Sequence, residues 1–202
     1  MSEINISLLE ENQNFSQFEI AENFTCIRFL DHNKERFELE FNLEKGTSFN
    51  TFLIRNNEEL LIIHPPEKQY LNSFNEIICN FFNQFKLKKI NVISGHINPK
   101  IIETIKNLGK QFKDLTITCS NPGFKLISEL WNQRNPNLKE FVEIELPEIN
   151  IIKKEHNLEL NNISLELIPI PTARWPGGLI IYERNQEILI SCLLYTSPSP
   201  RD

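Results

Sequence analysis

The sequence predicts an α/β layered domain, and three observations carry that reading. Strand-like alternation opens the chain, strand–helix alternation follows, and hairpin-like pairs of short strands close it. Leu60-Leu61-Ile62-Ile63 is a continuous apolar run, the pattern of a strand buried on both faces. Residues 69–86 then switch to a helical period, with Leu71, Phe74, Ile78, Phe81, Phe82 and Phe85 recurring at three- and four-residue steps.

Taken in order, Phe24–Phe29 and Phe37–Phe41 place apolar side chains on one face, with Asp31-His32-Asn33-Lys34 as the turn between them. Gly46-Thr47-Ser48 leads into a strand over Phe49–Ile54, and Asn56-Asn57-Glu58-Glu59 turns it into the apolar run, which Pro65 and Pro66 end. Beyond the 69–86 helix, Ile90–Ile93 is a strand. Pro99 opens a short helix marked by Ile101, Ile102, Ile105 and Leu108, and Leu115–Thr118 is the next buried strand. Phe124, Ile127, Leu130 and Trp131 define another helix, and residues 121–150 are hard to place and expected to include an insertion. Strands follow at Leu158–Leu160, Ser164–Ile168, Leu179–Tyr182 and Ile188–Ile190, joined by turns at Asn161-Asn162 and Asn185-Gln186.

Composition narrows the function classes. With 40% hydrophobic and 24% charged residues the chain is of ordinary globular make-up, and its net charge of −6 gives no electrostatic reason to expect nucleic acid or an anionic membrane as partner. No apolar run reaches the ~20 residues of a membrane helix. The N-terminus lacks the basic start and apolar core of a secretory signal, so the expected location is cytoplasmic. Cys26, Cys79, Cys119 and Cys192 form no CxxC pair and are expected to be reduced, buried thiols. Neither a P-loop nor a GxGxxG pattern is present. The Ser/Pro run from Leu193 to Asp202 cuts into a strand-like segment and looks like translated adapter sequence. Residues 1–192 are therefore expected to be one domain, itself partial, and 193–202 a non-native tail.

Two segments carry the chemistry. In Val92-Ile93-Ser94-Gly95-His96-Ile97-Asn98-Pro99-Lys100-Ile101 a strand ends in a loop with a His at its apex, and a helix begins behind it. In Pro169-Ile170-Pro171-Thr172-Ala173-Arg174-Trp175-Pro176-Gly177-Gly178 a Pro-rich loop joins two strands. Together they resemble the two metal motifs of the flavodiiron (diflavin) flavoproteins, H-x-E-x-D-H and P-x-x-H-W-P-D. Weaker likenesses are Gly46–Ile54 to an entry strand and Leu60–His64 to a strand that ordinarily ends in Asp. The resemblance spans about residues 20–192. It implies a metallo-β-lactamase-like αββα sandwich, incomplete at the C-terminus.

Aligned on Pro99, His96 matches the first His, while Asn98 stands at the Glu, Lys100 at the Asp and Ile101 at the second His. Arg174 stands at the His of the second motif, and a further bridging Asp falls on Leu193, inside the tail. A guanidinium never ligates, and an ammonium in place of a carboxylate repels a dication by several kcal/mol at close range. The resemblance therefore implies a degenerate di-iron site that holds no metal, with iron not expected and FMN belonging to a full-length protein rather than to this segment. It implies the front domain of an oxidoreductase passing electrons from NAD(P)H through flavin to oxygen. The alternatives are a catalytically silent structural subunit paired with a metal-competent paralogue, as homo- or hetero-oligomer, and a hydrolase of the same superfold, whose HxHxDH motif is missing. His96, Lys100 and Arg174 are expected to converge, accompanied by a carboxylate, an anion or solvent. Of the other residues, His32 and His156 read as surface, His64 as a hydrogen-bonded structural His, and Trp175 as core.

Overall fold

The structure is a computed structural model that describes residues 15–31, 47–133, 145–160, 163–170 and 175–191. The strands β1 (Phe15–Ala21), β2 (Phe24–Asp31), β3 (Thr47–Asn56) and β4 (Glu59–Ile63) are antiparallel neighbours. Asn23 and Asn57 turn the tight β1–β2 and β3–β4 connections at positive φ, a conformation that Asn tolerates better than most residues. A single 3-10 turn (Lys68–Tyr70) precedes α1 (Leu71–Phe85), and strand and helix then alternate through β5 (Lys89–Ser94), α2 (Pro99–Gln111), β6 (Leu115–Ser120), α3 (Asn121–Asn132) and β7 (Glu148–Ile152). The strands β4 to β7 pair in parallel, so one seven-stranded sheet runs from β1 to β7 in chain order. A second, antiparallel sheet holds β8 (His156–Leu160), β9 (Ile163–Pro169), β10 (Leu179–Glu183) and β11 (Ile188–Ile190).

The apolar run of β4 shows how the layers stack. Leu60 and Ile62 face α1, α2 and α3, in a core with Phe74, Ile78, Ile105, Leu108 and Ile127. Leu61 and Ile63 face the second sheet, in a core with Leu165, Leu167, Leu179 and Ile181. All four are fully buried, as a strand covered on both faces requires. Helices, large sheet and small sheet are thus three of the four layers of an αββα sandwich.

Two expectations need correction. Along Phe24–Phe29 both edges of β2 are taken, by β1 and β3, so a hairpin with Phe37–Phe41 is excluded. Within residues 121–150 the helix expected around Phe124–Trp131 is α3, and the segment ends in a strand that was not expected, β7. Residues 134–144, where an insertion would fall, lie outside the described residues. Among the described residues, strand β7 pairs only with β6, and it buries just one of its five residues, so its signal in the sequence is thin. The strand proposed at 37–41, the turns at 32–34 and 161–162, Cys192 and the tail at 193–202 lie outside the described residues. Cys26 and Cys119 are buried, Cys79 is half-buried and all three are free; burial pushes the Cys119 thiol up to about 12.

Candidate functional site

In parallel sheets, ligands collect beyond the carboxyl ends of the strands, where the following loops and helix starts converge. Here the loops leaving β4, β5 and β6 meet at one pole of the domain. Two local sequence features start the helices there. Asn98 caps α2, its Oδ1 accepting from Ile101 N at 2.9 Å, with Pro99 just behind it. Ser120 caps α3 in the same way, its Oγ accepting from Gly123 N and donating to Gly177 O at 3.0 Å. That second bond fastens the β9–β10 connection onto the end of β6. Gly95 permits a similar approach on β5, since a Cβ there would lie 2.8 Å from Leu179 O.

Four of the side chains at this pole form a polar chain. Lys100 Nζ lies 3.2 Å from Glu67 Oε2, Asn98 Nδ2 lies 3.4 Å from Glu67 Oε1, and the same Nδ2 lies 3.1 Å from His96 Nε2. Glu67 and His96 are buried, whereas the Lys100 side chain is half exposed. The loop that carries Glu67 is tied to α2 a second time by Lys68 and Glu103, 3.1 Å apart. Trp175 sets its ring edge-on to His96, with centroids 4.8 Å apart.

His64 completes the pole. Its backbone is hydrogen-bonded on both sides, N to Ile93 O at 3.1 Å and O from Thr51 Oγ1 at 2.8 Å. Its ring is not: both nitrogens are buried with no hydrogen-bond partner among the described residues, and φ is 56°. The hydrogen-bonded role expected for this residue is therefore met by the main chain and not by the imidazole. Burial, and then the neighbouring His96, push its pKa down to about 4.

The structure thus brings together His96, Asn98 and Lys100. Ile101 stands apart, fully buried in the core between helices and sheet. Arg174 lies outside the described residues; its successor Trp175 touches His96. Trp175 is half-buried at the site and not core, and His156 is exposed as expected. Glu67 was not legible in advance, because its partners are 31 and 33 residues away and only the fold joins them. Among the described residues, no group of three or more His, Cys, Asp or Glu side chains is placed to hold a metal ion.

Comparison with known proteins identifies the family. Residues 47–202 match the ODP family of β-lactamases. Diflavin flavoprotein A 5 from Nostoc sp. is 31% identical over 172 residues, which is 84% of this chain and 28% of that protein. Diflavin flavoprotein A 6 from the same organism is 32% identical over 179 residues. The metal-soaked Flv1 flavodiiron core from Synechocystis sp. superposes with a TM-score of 0.77 at 27% identity, covering 91% of this chain and 43% of that one. A fragment of the Nostoc A 5 protein that starts at its first residue gives a TM-score of 0.72 at 28% identity, covering 90% of this chain and 66% of the fragment. The chain spans less than a third of the length of these curated relatives, and it matches their N-terminal part. It therefore belongs to the flavodiiron family, of which it carries the N-terminal, β-lactamase-like domain.

Proposed function

We propose that this chain is the front domain of a diflavin-type oxidoreductase whose own di-iron pocket is degenerate, so that it serves the assembly as a structural partner without binding iron. The observation that carries this reading is the Lys100–Glu67 pair: an ammonium and its counter-charge sit where the family motif places a carboxylate ligand. A metal needs lone pairs aimed at a common point. Here the His96 lone pair meets an amide donor, Ile101 is turned into the core, and the residue at the second-motif His is Arg174. These residues do not suit two iron ions, and no electron-transfer step is assigned to them.

In the whole protein, FMN and NAD(P)H chemistry with oxygen belongs to segments outside the matched third and to a metal-competent paralogue, with which this subunit forms a hetero-oligomer in the cytoplasm. No helix among the described residues is long and apolar enough to cross a membrane. A hydrolase reading has no donor set among the described residues to support it.

The test is elemental analysis of the protein expressed from its full reading frame and purified without chelators. The expected result is iron and zinc far below stoichiometry, together with co-purification of a paralogue that does contain iron. A full di-iron complement bound by this chain overturns the proposal.

A further inference from the structure

The N-cap of α2 does more than start a helix. Asn98 Oδ1 is pinned by Ile101 N at 2.9 Å, which settles the orientation of the amide. Its other end, Nδ2, therefore faces the pocket, 3.1 Å from His96 Nε2 and 3.4 Å from Glu67 Oε1. An amide nitrogen carries two hydrogens and accepts nothing, so its partners must both be acceptors. Glu67 is one by nature. His96 is one only if Nε2 is bare, and a neutral imidazole with a bare Nε2 carries its proton on Nδ1. Turning the amide over would forfeit the cap and set an oxygen against the Glu67 carboxylate.

We propose that Asn98 is a positioning residue that holds His96 as the neutral, Nδ1-protonated tautomer, with Glu67 taking the second amide hydrogen and Lys100 supplying the counter-charge to Glu67. The inference rests on the reading of this pocket as metal-free and deepens it. The pocket does not merely lack ligands; the chain itself uses the lone pair that its remaining imidazole would offer to a metal. Restoring acids at Lys100 or a His at Ile101 then leaves that lone pair engaged, because the group holding it is also the cap of the helix.

The test is long-range nitrogen NMR of the 202-residue chain, with the His96 ring assigned by its loss in His96→Gln. In the wild type at neutral pH the expected pattern is a protonated Nδ1 and a bare Nε2, the reverse of the tautomer that free histidine prefers. Asn98→Asp keeps an acceptor for Ile101 N but faces His96 with an oxygen, and the proton is expected to move to Nε2. If that variant does not fold, Asn98→Ser keeps a capping hydroxyl, removes the donor and is expected to release the ring to the Nε2-protonated form. A wild-type ring protonated on Nε2, or a tautomer unmoved in the folded variant, overturns the proposal. Iron content, measured on the same samples, separates the two readings. Bound iron counts against the function proposed above, whereas an Nε2-protonated ring in iron-free protein counts against this inference alone.

Discussion

Glu183 and His64 are both buried, at 2% and 6% exposure, and both sit at the end of a strand. Glu183 lies where β10 enters its turn and accepts from Ser164 N at 3.1 Å and Gln186 N at 2.6 Å. Asn91 and Thr118, also buried, pair across β5 and β6 at 2.9 Å. His64 keeps both ring nitrogens unbonded among the described residues and takes a left-handed backbone besides. Glu183 and the Asn91–Thr118 pair are satisfied, and an orphan in the interior costs about 1–3 kcal/mol. Asn75 Oδ1 and Ser128 Oγ are also buried without a partner among the described residues, but at His64 both ring nitrogens lack one and the backbone is left-handed as well, a cost the fold does not offset locally.

The contrast can be broken by substitution. The largest effect is expected for Glu183→Ala, which orphans the buried Ser164 N–H and removes the acceptor of the part-buried Gln186 N–H; a loss on the order of 3–4 kcal/mol in urea unfolding is expected. A loss near zero would mean that Glu183 is not the structural counterpart of His64.

The next effect belongs to His64 and is read by pH. Its folded pKa of about 4 lies below the ordinary 6.5, so between these values the unfolded chain binds the proton that the native state refuses. Stability therefore rises with pH across this window: the His64 contribution is complete above about pH 7 and is lost as pH falls toward 4. The loss amounts to roughly 3 kcal/mol. Denaturant titrations at several pH values should show this slope in the wild type and a flatter one in His64→Leu, which at pH 7 should be as stable as the parent or slightly more so.

Smaller effects probe the polar chain itself. Asn98→Ala removes the α2 cap and should cost about 1 kcal/mol. Lys100→Met breaks a pair whose cation is half exposed, and solvent screening should hold the change below about 1 kcal/mol. A larger loss at Lys100 than at Asn98, by the same unfolding assay, would reverse the order proposed for the two.

Much of the layering was legible because its signals are local. The run Leu60–Ile63 declared a two-sided strand, and the period of Leu71, Phe74, Ile78, Phe82 and Phe85 declared the helix that covers it. Edge strands were harder: β1 buries none of its residues fully, and β7 follows directly on Pro147. The site was legible in part. His96, Asn98 and Lys100 sit within five residues of one another, so a motif could find them. Glu67 reaches them only because β4 and β5 are parallel neighbours whose ends leave the sheet on the same side. Ile101 was found by alignment, but its helix phase turns it toward the core, which spacing alone did not reveal.

The bond from Ser120 to Gly177 spans 57 residues of chain, and the contact of Gly95 with Leu179 spans more. The β1–β2 and β3–β4 turns close over a few residues, so loop-closure entropy favours their early formation and delays this latch. The second sheet is therefore expected to dock late in folding, onto a large sheet whose β5 and β6 are already paired. Bulk added at Gly177 should then hasten unfolding while leaving the rate of folding nearly unchanged. The pole that carries the polar chain is, on this account, the last part of the molecule to close and the first to open.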